Sequence, residues 1–106
     1  MAEDKSISQA MQLIAFGGDA KSHAMEAIHA AKKGDFQTAH TKVQAAEKSL
    51  VSAHNVQTDM LTAEAQGEIQ AITLLTVHSQ DHLMTGIAFN DLAKEIIELY
   101  QTIQQS

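Results

Sequence analysis

Apolar residues recur along most of this chain at alternating spacings of three and four, which is the repeat of one helix face and not the alternation of a strand. In the first third the repeat runs through Ala10, Leu13, Gly17, Ala20, Ala24, Ala27 and Ala31, flanked by Met11, Ile14, Met25 and Ile28. Phe36, Ala39, Val43, Ala46, Leu50, Ala53, Gln57 and Met60 continue it, and Phe89, Leu92, Ile96, Leu99 and Ile103 carry it towards the end. Two stretches interrupt it. At Lys32-Lys33-Gly34-Asp35 two cations fall in a last helical turn, glycine suits the left-handed position beyond it, and Asp35 can cap the next helix. At Ala65-Gln66-Gly67-Glu68 a second glycine is placed to stop a helix. The pattern predicts helices over about Ile7 to Lys33, Phe36 to Gln66 and Gln70 to Gln104. Together they make an all-α, antiparallel three-helix bundle, up-down-up, occupying residues 1–106 as a single domain.

Composition sharpens this picture. The chain has no proline, and seventeen alanines favour helix throughout. Helices of about thirty residues are roughly 45 Å long at 1.5 Å per residue, so one chain is a thin rod with little interior and a reason to oligomerise. Seven lysines, with no arginine, stand against thirteen carboxylates, for a net charge of −6. With only Phe16, Phe36, Phe89 and Tyr100 as aromatics, the chain lacks the basic footprint and stacking platforms of nucleic-acid binders. Without cysteine it has no disulfide, thiolate nucleophile or cysteine-type zinc site. The acidic start has no apolar signal core, and the stretch from Ile69 to Val77 is about half the length that crosses a bilayer. The expectation is a soluble, cytoplasmic protein.

Running the third repeat backwards from Phe89 lands on Thr85, His82, His78, Leu75 and Ala71. Two histidines and a threonine thus interrupt an apolar seam, with Asp81 one residue off it and Gln80 beside that. Polar groups in such a place need partners. Satisfied interior histidines are one reading, weakened by the i, i+4 pair with Asp81 between. A transition-metal site is a second, although the glutamate of a His-Glu-x-x-His motif is missing and no third ligand is placed. A phosphohistidine is the third, in which a neutral imidazole attacks a phosphoryl group and its neighbours fix its tautomer.

The run Leu74-Leu75-Thr76-Val77-His78-Ser79-Gln80-Asp81-His82-Leu83-Met84-Thr85 resembles the hallmark of the lactose/cellobiose-type enzyme IIA of the bacterial sugar phosphotransferase system. Gly18-Asp19-Ala20-Lys21-Ser22 is similar to that family's first-helix motif. Ala53-His54, Gln57-Thr58, Met60-Leu61 and Glu64-Ala65 match its second helix, and Asp91-Leu92-Ala93 with Glu98-Leu99-Tyr100 its last. The resemblance implies a phosphocarrier that takes a phosphoryl group from phospho-HPr and gives it to a cysteine of the cognate IIB component. The sugar is phosphorylated as the membrane IIC component imports it. By the same resemblance, His78 is phosphorylated through Nε2, while Gln80 and His82 support the phosphoryl group. Asp81 faces the threefold axis of a homotrimer and binds a divalent metal there, with helix three near that axis. Three carboxylates meeting on an axis repel one another unless a cation or protons intervene, and oxygen ligands favour Mg²⁺ over zinc. Without the resemblance, Asp81 reads as an exposed aspartate.

Mid-helix Gly17-Gly18 costs about 1 kcal/mol per glycine against alanine, which points to close helix contact and not to a phosphate loop. His23, His29, His40 and His54 are scattered and read as peripheral, Asp19 and Lys21 carry no derived role, and Gln57 can reach the polar cluster of helix three. Two rival readings remain. A histidine phosphotransfer domain of a two-component relay expects lysine and glycine soon after its histidine, where this chain has Asp81-His82-Leu83. A purely oligomeric helical module would tolerate loss of His78. The start Leu-Leu-Thr-Val-His is closer to cellobiose or diacetylchitobiose relatives than to lactose ones.

Overall fold

The computed structural model describes residues 2–105, with side chains from residue 5 onward. Three helices account for nearly all of them: α1 (Ala2–Lys32), α2 (Phe36–Ala65) and α3 (Leu74–Gln105). Both interhelix stops fall at glycine. Gly34 has φ 81° and Gly67 φ 93°, left-handed values that a side chain would oppose. At the end of α1 the Gly34 and Asp35 amides donate to the carbonyls of Ala31 and Ala30; at the end of α2 those of Gly67 and Glu68 donate to Glu64 and Ala63. These are two Schellman closures of the same form. Asp35 then caps α2, its Oδ1 accepting from the Thr38 amide at 3.1 Å.

The third helix begins later than the sequence pattern suggests, at Leu74 and not Gln70. Its start is set by a reciprocal cap. The Thr76 amide donates to Thr73 Oγ1 at 3.2 Å, and the Thr73 amide donates to Thr76 Oγ1 at 2.9 Å. That arrangement satisfies two orphan amides as a capping box does and leaves residues 68–73 as a connection without helix. At the other end of the chain, α1 starts ahead of the expected Ile7, because Ala2-Glu3-Asp4-Lys5 extends it with helix formers and acidic residues suited to an N-terminus.

The helices form a rod with extents of 56 × 19 × 19 Å. α1 is its spine and packs along both others, while α2 and α3 touch each other less. Gly17 lies against His82 and Gly34 against Gln104, so α1 and α3 run parallel. Leu13 clusters with Met60, and Ala27 with Ala39, so α2 runs against α1. Every residue of the expected α1 stripe, from Ala10 to Ala31, is buried. Ala39, Val43, Ala46, Ala53 and Met60 of the expected α2 stripe are also buried, with Phe36, Leu50 and Gln57 partly so.

The α3 stripe needs correction. The residues facing the bundle interior are Ser79, Leu83, Gly86, Asn90, Ala93 and Ile97, one position along from the seam through Phe89 and Leu92. Leu92, Leu99 and Ile103 are instead 64%, 57% and 59% exposed. The reason is steric. α1 presents alanine and glycine, so α3 approaches with the face that carries its own small residues, Gly86 and Ala93, flanked by the buried Leu83 and Ile97, while Phe89 is left at the margin and Leu92 and Leu99 outside. His78 and His82 therefore stand at the edge of the packed interface and not within an interior seam.

Candidate phosphoryl-transfer site

His78 and His82 are brought into direct contact by their i, i+4 spacing on α3. Their Nε2 atoms are 3.1 Å apart, and the rings meet edge to face with centroids 4.6 Å apart. His78 is exposed and beside Leu74 and Leu75, whereas His82 is half-buried against α1. What lets His82 sit so deep is Gly17. A Cβ built there would lie 2.6 Å from the His82 carbonyl oxygen and 3.0 Å from the His82 Cβ. Gly86, one turn on, meets the Gly17 carbonyl in the same way at 3.4 Å. The expectation of close helix contact thus holds for Gly17. It fails for Gly18, which has open space around it.

Burial at this crossing decides the chemistry of the pair. His82 Nδ1 is shielded from solvent and has no hydrogen-bond partner. An unpaired buried N–H is costlier and rarer than an unpaired lone pair, so the His82 proton belongs on Nε2. That N–H then donates across the 3.1 Å contact, and His78 Nε2 accepts with its lone pair, which places the His78 proton on Nδ1. Protonation of His82 is disfavoured, first by burial, then by the nearby charges of Lys21 and His78, with Asp81 opposing. The pair consequently offers an exposed nucleophilic nitrogen beside a neutral donor. The same orphan atom argues against a transition metal, since a metal on His82 Nε2 would force its proton onto the buried Nδ1.

The other expected residues divide. Gln80 turns towards α2, its Oε1 accepting from Gln57 Nε2 at 2.8 Å and its amide approaching Met60 Sδ at 3.9 Å. Gln57 therefore does reach the polar run of α3. Asp81 is exposed, and Thr85 Oγ1 donates to its backbone carbonyl at 2.6 Å. Ser79, buried beside the site, is satisfied by the Thr76 carbonyl at 2.6 Å. Of the remaining histidines, His29, His40 and His54 are exposed, and His40 meets Gln101 at 3.2 Å. His23 is half-buried with its Nδ1 unpartnered.

Residues 8–101 match the family described as the lactose/cellobiose-specific IIA subunit of the PTS system. The chain belongs to that family. This IIA chain is 50% identical over 94 residues to the lichenan-specific phosphotransferase enzyme IIA component of Bacillus subtilis, covering 89% of the chain and 86% of that relative. The crystal structure of the PTS cellobiose-specific enzyme IIA from Bacillus anthracis superposes with a TM-score of 0.92 at 38% identity, covering 93% of this chain and 91% of that one. A solution structure of the IIA(Chitobiose)–HPr complex from Escherichia coli gives a TM-score of 0.80 at 36% identity, with 92% and 94% covered. Membership separates the IIA chain from two-component phosphotransfer domains and from purely oligomeric modules. Among the described residues no helix is long and apolar enough to cross a membrane.

Proposed function

We propose that this IIA chain carries a phosphoryl group on His78 Nε2, accepting it from phospho-HPr and passing it to the cysteine of a cognate IIB component. The cargo class is a β-linked disaccharide of the cellobiose, diacetylchitobiose or lactose type, taken up through a membrane IIC component. The IIA chain itself works in the cytoplasm. The observation that carries this reading is the exposed His78 with its Nε2 3.1 Å from that of His82, whose Nδ1 is buried without a partner. In the accepting step the His78 lone pair attacks phosphorus, an N–P bond forms, and the N–P bond to the HPr histidine breaks with its electron pair returning to that ring. As phosphorus arrives, the His82 N–H is released to a phosphoryl oxygen. In the donating step a thiolate forms an S–P bond and the His78 N–P bond breaks. Each transfer rests on positioning and hydrogen-bond donors, with little need for a base. Gln80, tied to Gln57, supports the site from the flank or across a subunit boundary.

Assembly as a homotrimer through α3 is part of the same proposal. Val77, Asp81, Met84, Leu92 and Leu99 follow one another at helical spacing on the outward face of α3, and Met84 is 57% exposed. Apolar side chains so arranged favour burial against other copies. Among the described residues no cluster of three acidic or histidine groups could hold an ion within one chain. Each chain instead brings Asp81 to the N-terminal part of that face, ahead of Asp91 and Glu95, and three copies of Asp81 would form an oxygen-only set suited to Mg²⁺. Such an ion would neutralise the carboxylates and hold no part in phosphoryl transfer.

The test is labelling. Incubation with phospho-HPr should add one acid-labile phosphate per chain, and His78→Ala should abolish it while His82→Asn slows transfer. Retained labelling in His78→Ala would overturn the assignment.

A further inference from the structure

Lys21 has no part in the chemistry described so far. It is half-buried on α1, yet it pairs with no carboxylate among the described residues, whereas Lys42 holds Glu26 and Lys94 holds Glu47. Lys21 stands one turn beyond Gly17 on the same face of α1, and Gly17 is the point at which α1 touches the His82 backbone. Helical side chains lean towards the N-terminus, so the Lys21 stem leads back to the level of Gly17 and of His82. A half-buried cation with no anion beside it is poorly placed unless an anion arrives.

We propose that Lys21 is the counter-charge for the phosphoryl group on His78, a binding residue for the transferred anion. The inference rests on the phosphocarrier reading and deepens it. A phosphoryl group brings roughly two negative charges near neutral pH. His82 gives that group a hydrogen bond, while Asp81 on the same helix is repulsive and Gln57 on α2 and Gln80 on α3 are neutral. Lys21 supplies from α1 what α3 lacks. The division also explains why the cation is a lysine held apart from the pair. Placed against His78 it would compete for the nucleophilic lone pair, whereas at the end of a four-carbon stem it meets the oxygens once they are in place.

The experiment equilibrates wild type, Lys21→Met and Lys21→Arg with phospho-HPr and measures the ratio of phosphorylated chains. Lys21→Met should shift the equilibrium constant towards phospho-HPr by about fivefold, the upper range for a solvent-accessible charge pair, and Lys21→Arg should restore most of it. Melting of both forms supplies the second readout. Phosphorylation should raise the melting temperature of wild type more than that of Lys21→Met, while the unphosphorylated proteins melt alike. A variant that lowers both forms equally would make Lys21 merely structural and overturn the proposal. Equal equilibrium constants for a labelled wild type and Lys21→Met overturn the Lys21 role alone. A wild type that takes no label overturns the phosphocarrier reading, and the Lys21 role with it.

Discussion

Gly17→Ala isolates the contact on which the histidine pair is built. The added Cβ would sit 2.6 Å from the His82 carbonyl oxygen and 2.8 Å from its carbon, where ordinary contact begins at 3.4 Å. The α3 backbone must therefore retreat by about 0.8 Å from 2.6 to 3.4 Å, and it is helix backbone that cannot rotate aside as a side chain could. Overpacking of this kind costs typically 1–3 kcal/mol. Against it stands the gain from replacing a mid-helix glycine by alanine, about 1 kcal/mol. The net is a loss of up to about 2 kcal/mol, or several degrees in melting temperature for a domain of this size. Gly18→Ala is the internal control. With nothing within 4 Å of its Cβ site, it collects the helix gain with no clash and should raise the melting temperature. Phosphorylation rate follows the same division, because a displaced His82 no longer aligns its donor with His78. Thermal melts and initial rates with phospho-HPr check both. If Gly17→Ala is as stable and as fast as Gly18→Ala, the crossing does not position His82.

Two further expectations concern charge. Asp81→Leu should remain trimeric in excess chelator and melt no lower than wild type, because replacing buried like charges by apolar groups is often neutral or stabilising by roughly 1–4 kcal/mol. Wild type should lose stability when chelated; light scattering and melts decide, and a variant that falls to monomers removes Asp81 from the axis. Asp35 has its carboxyl held below the usual value by its hydrogen bonds to Thr38. The unfolded chain therefore binds the proton more readily, so this cap's contribution is full above the ordinary aspartate range and is lost as pH falls through the lowered folded value. Asp35→Asn keeps a cap of similar quality without the titration. It should match wild type near neutrality and show a shallower acid loss in chemical denaturation; an unchanged acid limb would count against the linkage.

Much of the scaffold could be read from residue types alone because the decisive signals were local. Gly34 and Gly67 announced their left-handed turns, Asp35 its cap, and the alanine stripe of α1 its burial. Local reading erred where the answer depended on a neighbour. The start of α3 is set by two threonines, Thr73 and Thr76, a weaker form of the capping box whose usual acidic partner is absent. The interior face of α3 reads one position early, through Phe89, Leu92 and Leu99, because the small surface of α1 selects the face that carries Gly86 and Ala93, with Leu83 and Ile97 beyond them. The histidine pair followed from i, i+4 spacing, but not its tautomer, because that depends on which His82 nitrogen α1 covers. Lys21 carried only a motif match, and Gly17 was legible as a contact without its counterpart being identifiable.

The parallel pairing of α1 with α3 also has a bearing on when the chain becomes active. Gly17 and His82 lie 65 residues apart in sequence, and their meeting, like that of Gly34 with Gln104, forms only when α3 closes back onto α1. A hairpin of α1 and α2 alone contains neither histidine of the pair. While α3 is undocked, both nitrogens of His82 are hydrated and its two tautomers exchange freely, so His78 has no fixed donor beside it. The donor is thus a product of tertiary structure and not of the helix that bears it. Nascent or partly unfolded chains hold the whole motif from Leu74 to Thr85 without the paired arrangement, so on the proposed mechanism the ability to accept phosphate would report that the last helix has found its place.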